Sequence, residues 1–126
     1  MLMHELKHEL RHCSGSLNYY RWSMFSGMVY TDGVRIMAET AKAYWLIDAC
    51  FSHMTKRVLA EMGSRGTFTL TVADGSAVLS LVSVETGKEI DRQEIEYTDF
   101  PSGTFELFVA WGGPNNALTL FLPSED

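Results

Sequence analysis

The chain predicts an α+β fold, with N-terminal helices packed on one face of a five-stranded, mainly antiparallel meander sheet. Three observations carry this expectation. Up to Met62 the apolar residues recur with a helical period. After Gly66 they alternate with polar residues, the period of a half-buried strand. The alternating runs are separated by tight-turn dipeptides such as Asp74-Gly75. Helices first and hairpin-linked strands afterwards is the pattern of a helix layer on a sheet. The 126 residues suit one domain over 1–126, because two halves would each have a marginal core.

A short helix is expected over about 3–12. Leu2, Leu6 and Leu10 recur every fourth residue and share a face. His4, His8 and His12 recur in the same way about 160° round the helix, facing solvent. Ser14-Gly15-Ser16 ends it. LNYYRW, 17–22, has the aromatic content of a strand. SMFSGMVY is ambiguous, with Gly27 suggesting a turn.

The main helical region is expected over about 32–62, with Asp32 as N-cap and Gly63-Ser64 as stop. Its wide apolar arc, from Ile36 through Tyr44, Ile47 and Phe51 to Met62, suits packing on a sheet. A break near Ala43 would make it two helices; the pattern leaves one or two open. The sheet is expected over about 67–122, in strands TFTLTV, SAVLSLVSV, 89–97, 104–110 and 117–122. In the third of these Ile90 and Ile95 have opposite parity, which predicts a bulge.

Composition excludes several classes. At 46% hydrophobic and 12% aromatic the chain is not disordered. The start has no apolar leader-like run, and AYWLIDACF is too short to span a bilayer, so a soluble, cytoplasmic protein is expected. Cys13 and Cys50 have no metal-knuckle spacing. Net charge is −6, and residues 64–126 hold ten Asp/Glu against three Lys/Arg. That balance argues against binding nucleic acid directly and suits an acidic face offered to a basic partner.

Candidate chemistry is thin. The histidine ladder has metal-chelating spacing but no enclosure, so no metal is expected. Cys50 and His53 are one turn apart, yet Cys50 falls on the apolar arc, where a thiol is a small hydrophobe. Asp48 interrupts an apolar run, so it is expected to accept from a backbone amide or from a Trp or Tyr side chain. No glycine-rich phosphate loop or nucleophile elbow occurs, and no cofactor or catalytic residue is implied. YTDG at 30–33 and YTDF at 97–100 echo each other with different flanks. Asp32 and Asp99 therefore read as one turn device used at two corners, the first capping a helix, the second forming an Asx turn. With Asp48 and Trp45 they form the expected structural set. An acidic ribbon remains as the candidate partner-binding surface: Glu85, Glu89, Asp91, Glu94, Glu96 and Glu106. Its ordinary alternative is a charged sheet edge that blocks strand pairing.

GSLNYYRW, YTDGVRIMAETAKAYWLIDA, EYTDFPSG and LPSED together resemble an uncharacterised small domain family of bacterial, phage and plasmid proteins, a domain of unknown function. Lys42 stands where that family carries a small residue, often glycine. The resemblance implies a mobile-element origin, one small domain and no assigned activity. With the acidic second half it suggests an anti-CRISPR-like inhibitor, a non-enzyme that occupies a basic, nucleic-acid-binding surface of a defence complex such as a CRISPR effector subunit. Two alternatives stand beside it. One is a structural or homo-oligomeric module pairing through the edge of ALTLFLP; the other is a small hydrolase-like enzyme using Asp32, Asp48 and Asp99.

Overall fold

The computed structural model describes residues 1–13, 18–23 and 27–126. The expected Ser14-Gly15-Ser16 stop, Leu17 and the Met24-Phe25-Ser26 stretch lie outside the described residues. Four helices, α1 (Met3–Leu10), α2 (Asp32–Thr40), α3 (Tyr44–Ser52) and α4 (Lys56–Met62), accompany seven strands. These are β1 (Tyr19–Arg21), β2 (Val29–Thr31), β3 (Arg65–Ala73), β4 (Ser76–Ser83), β5 (Glu89–Ile95), β6 (Gly103–Trp111) and β7 (Leu118–Phe121). The α+β class is as expected, but the sheet is larger than a five-stranded meander and is mixed.

The strand order is β1-β2-β7-β6-β3-β4-β5. Every pair is antiparallel except β2 with β7. The two extra strands come from the aromatic segment and from VYT, each three residues long. Strands that short carry no readable alternation, which is why VYT gave no signal. β7 lies between β2 and β6, so ALTLFLP offers no free edge and the strand-pairing route to an oligomer through it is closed.

Alternation assigns the faces. Phe68, Leu70, Leu79, Leu81, Leu107, Val109, Leu118 and Leu120 are buried on the helix side. Thr67, Thr69, Thr71 and Ser80 turn the other way and are partly or fully exposed. The Asp74-Gly75 hairpin has φ of 53° and 78°, the left-handed pair that a two-residue turn between twisted strands requires. The expected bulge is present: Leu81 pairs with Asp91 while Val82 pairs with Glu89, leaving Ile90 as the extra residue. That slip lets Ile90 and Ile95 both pack against the core.

The main helical region is three helices. α2 ends at Thr40; Lys42 beyond it has a left-handed φ of 53°, and the Ala43 amide donates to the Ala38 carbonyl across the break. α3 ends at His53, and Thr55 opens α4 by accepting from the Val58 amide at 3.3 Å. A seven-residue helix such as α4 is not stable alone; buried Val58 and Met62 hold it to the sheet. In α1 Leu6 and Leu10 are buried, but Leu2 is the exposed N-cap and does not extend the packed face.

Candidate functional site

The expected structural residues gather where β1 and β2 meet α2 and α3. Tyr20 sits on β1 and donates its hydroxyl to Asp32 Oδ1 at 2.9 Å. The Asn18 amide donates to Asp32 Oδ2 at 3.1 Å. Arg35, one turn along α2, stacks 4.9 Å over the Tyr20 ring and donates to the Tyr20 hydroxyl. Glu39 accepts from both Arg35 and Tyr44, tying α2 to α3. Trp22 Nε1 donates to Asp48 Oδ1 at 2.8 Å, the tryptophan partner expected for that carboxylate. Burial and the neighbouring Tyr44 push the Tyr30 phenol up, although Arg35 pulls it down. The hydrogen bonds of Tyr20, Trp22, Asp32, Arg35, Glu39, Tyr44 and Asp48 make the cluster a clamp that fastens the β1–β2 arm to the helices.

Two corrections concern the paired Thr-Asp units. The N-cap of α2 is Thr31, whose hydroxyl oxygen accepts from the Val34 amide; Asp32 is the first helical residue and binds β1 instead. At the second corner Thr98 Oγ1 accepts from the Phe100 amide at 3.1 Å, and Asp99 is exposed and forms no Asx turn. The device is used twice, as expected, but threonine performs it. In both corners the threonine hydroxyl is held next to the backbone, within reach of the amide two or three residues on. Trp45 packs edge-on against Phe100, with ring centres 6.4 Å apart.

The tail carries a function that its sequence did not disclose. Glu125 accepts from the Thr31 hydroxyl at 2.7 Å, the Gly33 amide at 3.2 Å and the Leu122 amide at 2.9 Å. Its carboxylate thus sits at the N-terminus of α2, where the helix dipole favours negative charge. A Cβ on Gly33 would come within 2.6 Å of Glu125 Oε1 and 2.7 Å of Leu122 Cδ1, which accounts for the glycine in YTDG.

The enzyme trio is dispersed. Asp32 and Asp48 belong to the clamp near the β1 edge, while Asp99 follows β5 at the opposite edge. Cys50 is fully buried, and burial alone pushes its thiol well above its ordinary range, so it is no nucleophile at neutral pH. His53 instead points at β5, with Nδ1 2.7 Å from Asp91 Oδ2 and Nε2 2.8 Å from the Gln93 amide oxygen. His4, His8 and His12 are exposed, and His12 lies beyond the end of α1. Among the described residues no group of three or more His, Cys, Asp or Glu converges as a metal site.

The six acidic residues expected to form a ribbon are divided among separate places in the fold. Glu85 folds back on Ser64, whose hydroxyl and amide donate to Oε1; these bonds hold its carboxyl below the ordinary range. Asp91 faces the helices and binds His53, while Glu89 pairs with Arg92 at 3.2 Å. Glu106 lies on β6 opposite Thr69, three strands from β5. Glu94 and Glu96 remain exposed.

These last two border a corner that the sequence did not single out. The Thr98 amide donates to the Gly75 carbonyl at 2.7 Å, joining the loop after β5 to the β3–β4 turn. Asp74, Glu96 and Asp99, all exposed, therefore surround Tyr97, and Glu94 is the preceding exposed residue of β5. Tyr97 is 81% exposed, the most exposed large side chain with apolar surface among the described residues. No lysine, arginine or histidine occurs in 66–87 or 93–126, so the corner carries no compensating cation of its own. Three of the other four members of YTDFP have work in the fold: Thr98 makes the turn, and Phe100 and Pro101 are buried. Tyr97 is not part of the core or of the residues packed against it. Only knowing where β5 ends separates it from an inward-facing strand tyrosine.

With that geometry in place, comparison with known proteins is brief. The model of a family of unknown function (DUF6876) matches residues 4–126, nearly the whole chain, and the chain belongs to that family. No curated protein and no solved structure matches it.

Proposed function

We propose that this member of a family of unknown function acts by non-catalytic binding, docking the corner around Tyr97 on a basic surface of a partner protein. The observation that carries the proposal is a phenol 81% exposed at a corner with exposed Asp74, Glu96 and Asp99, built from segments 66–87 and 93–126 that contain no Lys, Arg or His. Tyrosine is a favoured anchor in interfaces because its ring buries much area at little entropic cost. Surrounding carboxylates steer it toward positive potential and repel nucleic acid itself. The partner class that fits is a protein whose basic groove normally holds nucleic acid. In a family resembling mobile-element proteins, this is an anti-CRISPR-like inhibitor of a CRISPR effector complex in a bacterial host.

The test is target-DNA cleavage by purified guide-loaded effector complexes with and without this protein. Inhibition is expected, with association that weakens as salt rises. Tyr97→Ala with Glu96→Lys and Asp99→Lys, leaving Asp74 in its left-handed turn position, is expected to abolish it at unchanged thermal stability, because none of these three side chains makes a hydrogen bond or ion pair among the described residues. Full inhibition by that variant, or no association of the wild type with any basic nucleic-acid-handling complex, sinks the proposal.

A further inference from the structure

The opposite edge of the sheet holds a groove of about 590 Å³, within the range of small-molecule sites. It runs between β1, the start of β2, α4 and the loop joining β6 to β7. Its floor is apolar, with Val29, Leu59 and Leu118 among its lining. Tyr19 and Trp111, which are 43% and 45% exposed, leave ring surface open at its rim. Arg21, Asn115 and Asn116 add polar groups, and no Asp or Glu lines it.

The charges around it are unusual for this molecule. Arg35, Arg57, Arg65 and Arg92 are each ion-paired with a carboxylate. Arg21, whose backbone pairs with Val29 in the sheet, has a side chain exposed on β1 that makes no hydrogen bond or ion pair to the described residues, a condition it shares among the arginines only with Arg11 on the N-terminal segment. In a chain of net charge −6, a guanidinium kept apart from carboxylates beside an apolar groove is positioned for an anion from outside. Asn115 and Asn116 both have left-handed backbone, φ 56° and 58°, a conformation asparagine tolerates better than most residues. Their side-chain amides have no partner among the described residues either.

We infer that this groove binds a small planar aromatic anion, its ring against Trp111 and Tyr19 and its carboxylate or phosphate on Arg21. Aromatic faces supply stacking area, and the planar guanidinium fork matches two oxygens of either head group. The site is independent of the acidic corner, which lies at the far edge of the sheet.

Two-dimensional amide NMR tests it through the indole N–H of Trp111. The probes are 2-naphthoate and adenosine 5′-monophosphate, with 2-naphthylmethanol, adenosine and inorganic phosphate as controls. A saturable shift at Trp111 is expected with at least one anion, while Trp22 and Trp45 stay still. Whichever anion responds assigns the head group as carboxylate, phosphate or either. The neutral ring and the ringless anion are expected to bind at least tenfold more weakly. Arg21→Gln and Trp111→Ala should each weaken binding about tenfold, with unchanged circular dichroism. No shift with either anion, equal binding of the neutral rings, or undiminished binding by Arg21→Gln overturns the assignment.

Discussion

At the residue scale the molecule is held by small hydrogen-bonding side chains at corners. Thr31 uses both capacities of its hydroxyl, accepting from the Val34 amide and donating to Glu125. Glu125 in turn collects three donors across a sequence gap of more than ninety residues to Thr31 and Gly33. Replacing it by alanine leaves Thr31 and the Gly33 amide without their acceptor in a partly buried corner. The expected cost is about 1–3 kcal/mol, read as a lower midpoint in urea at unchanged slope. Glu125→Gln should recover part of this, because the amide oxygen still accepts while the charge at the helix end is lost. An alanine variant as stable as the wild type would show that the tail is not a fastening. Asp32 was recognisable in the sequence as structural, yet its partner was not: Tyr20 lies twelve residues away on strand β1. A cap can be read locally, but a clamp requires the fold.

Elements show the same division. β3 and β4 were legible because eight or nine residues of strict alternation leave one register that buries the apolar set. The bulge in β5 was legible because two isoleucines of opposite parity must both find the core. The helix breaks were harder to see, since an apolar arc continues across Lys42 and Thr55 while the backbone does not. Strand β5, one edge of the sheet, is fastened to the end of α3 by His53, whose Nδ1–H donates to Asp91. Burial tends to raise the Asp91 pKa. Hydrogen bonds from His53 and the Arg92 amide, with the charges of His53 and Arg57, outweigh that and leave it lowered. A carboxyl lowered in the fold contributes stability above its unfolded pKa and loses it as pH falls through the folded value. This contribution is therefore complete at neutral pH and disappears in acid of about pH 4 and below. Asp91→Asn should destabilise by about 1 kcal/mol at pH 7 and by less at pH 3. Chemical denaturation at the two values checks this, and an equal loss at both would mean that the charge of Asp91 contributes nothing.

At the scale of the whole molecule the helix layer covers one sheet face. The open face and the two edges are left for contact: an acidic corner beyond β5 and a carboxylate-free groove beside β1. None of this layout was legible from charge counts, because the acidic residues are contiguous in sequence but divided in space. Glu85 and Asp91 serve the fold, while Asp74 joins the corner only through the Thr98–Gly75 hydrogen bond. The closure of the core beneath α3 can be measured by its one buried thiol. Cys50 is wholly inside and pushed up by burial alone, whereas Cys13 is half-buried and raised by burial together with Glu125 and Asp32. A thiol reacts as its thiolate, so both should react more slowly than a free cysteine at the same pH. In native buffer a disulfide-exchange reagent is expected to titrate Cys13 alone. Cys50 should react only through global opening, at a rate that rises with urea in step with the unfolding equilibrium. Both thiols should appear at once in full denaturant. If Cys50 reacts in native buffer as fast as Cys13, α3 lifts from the sheet without global unfolding. The helix layer is then a mobile cover, and the clamp of Trp22 on Asp48 does not hold it closed.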